Sequence, residues 1–184
     1  MLGRPVFPLF LFMSAEAFHY TKDRRKYLRR LLAGTWVMAV MTTVLQRLFP
    51  MDEVILINNA FFTFFVSALW MDAYDTFRAG CKEKKARKIG KSIVLALLPL
   101  IFCIPVLIAG ALASRQTYSQ AAVDILLFLS MILPNVMMAE GGIVMCGIGL
   151  VFYIFRERRW AQVSFLLAYI VMCWCKYPIP YFIV

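Results

Sequence analysis

Apolar runs of about 20 residues, the length a helix needs to cross ~30 Å of hydrocarbon, follow one another along this chain with only short breaks. Five or six such runs in 184 residues leave no room for a soluble domain. The composition is 62% hydrophobic with a mean hydropathy of +0.76, well beyond the roughly 45–50% apolar share of a soluble domain. The expected fold class is therefore all-α. It is a polytopic transmembrane helical bundle in one integral-membrane domain over residues 1–184, with about six spans plus one interfacial or re-entrant helix.

A net charge of +10 would ordinarily suggest nucleic acid, but its distribution excludes that partner. Six basic residues fall in 22–30, seven in 78–91 and three in 156–159, leaving only Arg4, Arg47, Arg115 and Lys176 elsewhere. Basic clusters between apolar runs are the positive-inside signature, so all three should face the cytoplasm. That rule orders the chain into spans near 5–20, 31–49, 55–72 and 92–113, with Phe77–Lys91 as a long cytoplasmic loop. Pro99 and Pro105 should bend the fourth span. Keeping Arg156, Arg158 and Arg159 inside allows only one full crossing between Ala121 and Phe155. The break falls at Pro134-Asn135 and Glu140-Gly141-Gly142, leaving 121–133 as the non-spanning helix with Asp124. A descending span near 136–155 and a last one near 161–178 complete the bundle, with both termini outside. The charged triplet Ala15-Glu16-Ala17 gives no cleavable signal peptide.

The five cysteines show no metal-ligand spacing, so no metal site is expected. Four lie in apolar runs as packing residues, and Cys81 sits among basic residues. The organising stretch is Gly3 to Arg30. It holds one carboxylate, Glu16, and the only histidine, His19, one turn apart on an apolar helix that empties into a basic block. Ionisable residues at membrane depth are costly and point to function.

The residues Gly3-Arg4, Phe7-Pro8-Leu9-Phe10, Glu16-Ala17-Phe18-His19-Tyr20-Thr21-Lys22 and Tyr27-Leu28-Arg29-Arg30-Leu31 resemble the signature of the TraX family. Asn59-Ala60-Phe61-Phe62-Thr63 and Glu140-Gly141-Gly142 through Gly149, Phe152-Tyr153 and Arg156 are also similar. That family comprises bacterial inner-membrane proteins named for N-terminal acetylation of conjugative pilin and related to transmembrane acyltransferases. Its members usually carry a leading helix with an Asp-His pair and a Tyr-Asn-Gly type ending. Neither is in this sequence, which reads as truncated or as a shortened relative.

The resemblance implies an acetyl-CoA-dependent acetyltransferase in the bacterial cell membrane, acting on a membrane-associated peptide or envelope acceptor. Acyl transfer needs a base that titrates near neutrality, and imidazole is that residue type. Glu16 and His19 are the candidate catalytic pair. Arg24, Arg25, Lys26, Arg29 and Arg30 lie just below and suit the anionic phosphates of acetyl-CoA. Arg4, Asn58, Asn59 and Glu140 are candidate substrate contacts in the outer half. Each has a structural reading too. His19 serves as an amphipathic end-cap, the basic block as a topological anchor on the lipid bilayer, and the asparagines as interhelical hydrogen-bonders. The second functional reading is a non-catalytic membrane scaffold or subunit that binds a protein partner.

Overall fold

The computed structural model describes residues 3–48, 59–114 and 120–176. Those residues form eight helices and no strand, in the order α1 (Gly3–Tyr20), α2 (Arg24–Leu48), α3 (Ala60–Lys82), α4 (Ala86–Ile101), α5 (Ile104–Ala113), α6 (Gln120–Ile132), α7 (Gly142–Ile154) and α8 (Arg159–Lys176). The all-helical expectation holds. Arg24–Leu45 of α2, and Ala86–Ala113 made by α4 with α5, are long and apolar enough to cross a membrane. The apolar stretches Ala121–Ile132 and Gly142–Ile154 are shorter.

The hub is α3, where the sequence pointed to the first thirty residues. Its buried side chains serve two cores. Ala68 and Met71 pack with Leu11, Ala15 and Phe18 of α1 and with Met145, Ile148, Phe152 and Tyr153 of α7. Phe62, Phe65, Val66 and Leu69 pack with Cys103, Val136, Met138, Ala139 and Cys146. Where α3 meets α7, the Ser67 hydroxyl donates to the Cys146 carbonyl (3.2 Å). Gly149 lets the backbones close, since a Cβ there would lie 2.7 Å from Ser67 Oγ.

Three expectations change. Helix α2 begins at Arg24, seven residues before the expected span, because Asp23 caps it by accepting from the Lys26 N–H (3.0 Å). The expected loop over Phe77–Lys91 is mostly helix. α3 continues to Lys82 and α4 starts at Ala86, leaving only Glu83-Lys84-Lys85 to turn the chain. Lys84 takes the left-handed conformation (φ 52°) and the Lys85 N–H returns to the Gly80 carbonyl (3.0 Å). The descending span near 136–155 is helical only from Gly142 to Ile154, about 20 Å at 1.5 Å per residue.

The segment from Leu133 to Gly141 is irregular, with Pro134–Val136, Met138 and Ala139 buried, and side chains pair part of its backbone. Asn135 donates to the Ser130 and Leu133 carbonyls and accepts from the Met138 N–H. The Asn59 N–H donates to the Met138 carbonyl (3.0 Å), and the Thr63 hydroxyl to that of Glu140 (3.0 Å). Gly141 and Gly142 both have positive φ, 73° and 61°, and a Cβ on Gly141 would meet Met145 at 2.1 Å. The expected bend in the fourth span falls at Phe102-Cys103, between α4 and α5, just before Pro105, which has no N–H to continue the ladder.

Candidate functional site

The end of α1, the start of α2, the second half of α3, the end of α7 and the start of α8 meet at one end of the molecule. Helix periodicity sets Asp72 and Asp75 one turn apart on α3, facing Arg24, the first residue of α2. Arg24 Nη2 lies 2.7 Å from Asp75 Oδ2, and Nη1 lies 3.9 Å from Asp72 Oδ1. The Tyr153 hydroxyl donates to the same Asp75 oxygen (2.6 Å). The Arg24 guanidinium also sits 5.1 Å from the Phe18 ring centre. The Arg24 side chain is 35% exposed and that of Asp75 26%, so solvent screens the pair and its worth is nearer about 1 kcal/mol than a buried pair's.

His19 lies against this cluster. Its ring centre is 5.0 Å from that of Tyr20 and 6.3 Å from that of Tyr153. Its Nδ1 is buried with no hydrogen-bond partner among the described residues. Glu16 therefore does not hold His19 through that nitrogen, and the expected carboxylate–imidazole relay is not formed there. Glu16 instead lines an open cleft of about 570 Å³ between α1 and α8. Arg156 and Arg159 share that cleft, and Arg156 also covers the Tyr153 ring at 4.9 Å. The arginines beside Glu16 thus come from the third basic cluster, not from residues 22–30.

The expected phosphate clamp divides. Arg24 is held by Asp75 and Asp72, whereas Arg25, Lys26, Arg29 and Arg30 are exposed. Among the expected substrate contacts, Asn59 is buried and serves the fold. Its Oδ1 caps α3 by accepting from the Phe61 N–H (3.0 Å), and its Nδ2 donates to the Thr35 carbonyl of α2 (2.9 Å). Glu140 is exposed at the far end of α3 from His19. Asn58 lies outside the described residues, as does the side chain of Arg4.

Sequence reasoning missed the roles of Asp72, Asp75 and Tyr153. The available signal was an acidic pair at i, i+3 in an apolar helix, which requires a cation from elsewhere in the chain. Compared with family models, curated proteins and solved structures, the chain matches none.

Proposed function

We propose that this chain is a multi-pass membrane protein of about six crossings that transfers an acyl group at its basic end, in the manner of the TraX proteins it resembles. The observation that carries the chemistry is the buried Nδ1 of His19, unpartnered among the described residues, beside the Tyr153–Asp75–Arg24 chain. Leaving a buried polar atom unpaired costs about 1–3 kcal/mol, and such exceptions call for a purpose outside the fold.

Support for the membrane reading comes from the two spanning-length helices and from the apolar side chains left on the outside, among them Val40, Val94, Leu97, Leu107, Phe128 and Leu167. In this reading acetyl-CoA, when bound, supplies an activated thioester, and the exposed Arg25, Lys26, Arg29 and Arg30 suit its phosphates. His19 takes a proton from the acceptor amine or hydroxyl as the new amide or ester bond forms, and returns it to the departing thiolate. The acceptor is a membrane-associated peptide or envelope molecule.

Co-expression with an acceptor and mass spectrometry for the acetyl shift tests this. His19→Ala should lower transfer by about 10²–10⁴-fold, the usual worth of a general base. An unchanged shift removes His19 from the mechanism. One observation favours the scaffold reading, namely that Arg24 of the expected clamp is tied into the fold. A scaffold predicts no acetyl-CoA binding and a stoichiometric protein partner.

A further inference from the structure

The cleft between α1 and α8 is graded in polarity along its length. Pro8, Leu9, Phe12, Val163 and Leu166 line one part, and Glu16, Tyr20, Arg156, Arg159 and Gln162 line the other. From Pro8 to Tyr20 the α1 axis rises about 18 Å, close to half the ~30 Å thickness of a hydrocarbon core. Its polar part lies at the basic end, where a leaflet's headgroups would sit if the membrane reading holds. Gln162 Nε2 is already engaged by the Phe152 carbonyl (2.9 Å). No hydrogen bond or ion pair reaches the Glu16 carboxylate among the described residues.

We propose that this cleft holds one glycerophospholipid whose headgroup carries both a phosphate and a primary amine. The inference rests on the membrane reading above and not on acyl transfer. The charges select the ligand. Two guanidinium groups suit a phosphate, and a carboxylate beside them suits a cation that can donate hydrogen bonds. A purely anionic headgroup would bring its charge against Glu16. A quaternary ammonium has no N–H to give it. The apolar part of the cleft takes an acyl chain, so that head and tail are read together.

The test uses the full chain purified in mild detergent and native mass spectrometry with phosphatidylethanolamine, phosphatidylcholine and phosphatidylglycerol. The wild type should retain the ethanolamine lipid about tenfold better than either other lipid, the scale of one charge-assisted hydrogen bond. Glu16→Gln should remove the preference for ethanolamine over choline. Arg156→Ala combined with Arg159→Ala should weaken retention of all three. Val163→Trp fills the apolar part without touching a charge and should also block retention, which keeps the proposal testable if the Glu16 variant fails to fold. Equal retention of the three lipids by the wild type overturns the proposal, as does undiminished selectivity in Glu16→Gln. Alkaline carbonate extraction separates the two failures. A chain that stays in the membrane but shows no selectivity loses only this site, whereas a chain released by carbonate loses the membrane reading as well.

Discussion

At the corner between α3 and α4 a single carboxylate, Glu83, faces two lysines. Hydrogen bonds from Lys88 and then Lys85 lower its pKa from an ordinary 4.5 to about 2. The folded-state value lies below the unfolded one, so the ionised form stabilises the corner. That contribution is complete above about pH 4.5 and is lost as the pH falls toward 2. The group is at the surface, so the effect is local and sensitive to salt. Amide-exchange protection of residues 80–89 should decline over that window in the wild type and stay flat in Glu83→Gln. Identical profiles would count against the pairing. Asn59 shows where reading single residues from sequence stops. An asparagine in an apolar run suggests either a ligand contact or an interhelical bond, and nothing in the sequence names Thr35, 24 positions away, as its partner. For the same reason nothing named Arg24 as the cation that the Asp72–Asp75 pair calls for, because an ion pair across elements leaves no periodic trace in the partner.

Where helices α3 and α7 touch, glycine sets the distance between them. Gly149→Ala would put a Cβ 2.7 Å from Ser67 Oγ and 2.9 Å from Ser67 Cβ. Overpacking of this kind costs about 1–3 kcal/mol, which thermal unfolding in detergent should register as a lower midpoint. Ser67→Ala should not rescue it, because the Cβ remains, whereas Ser67→Gly should. Equal midpoints for wild type and Gly149→Ala would show that the contact is slack. Elements with strong punctuation were legible. The break near 134–142 announced itself through Pro134, Asn135 and the Gly141-Gly142 pair, and α6 fell within a residue of its expected bounds. The corner at Glu83-Lys84-Lys85 carries no glycine or proline, and its left-handed residue is a lysine. Arg, Ala and Lys are good helix formers, so the basic stretch continues α3 rather than ending it. Charge density was mistaken for the end of the helix.

Across the whole molecule, Arg24, Asp75, Tyr153, Arg156 and the last turns of α3 cluster at one end, and Asn59, Met138 and Ala139 meet at the other. The positive-inside rule then predicts opposite reactivity for two exposed positions, tested in otherwise cysteine-free chains. The native Cys81 should react with a membrane-impermeant maleimide only in inside-out vesicles, and Met137→Cys only in intact cells. Labelling of both from the same side would overturn the proposed topology. The irregular stretch from Leu133 to Gly141 adds a consequence for biogenesis. Some of its buried peptide groups are paired by Asn59 and Thr63, which belong to the cap and first turn of α3, translated nearly eighty residues earlier. The receiving surface leaves the ribosome first, so the stretch can dock as it emerges. A circular permutant that made α6 and α7 before α3 would present that backbone unpaired, with nothing to receive it.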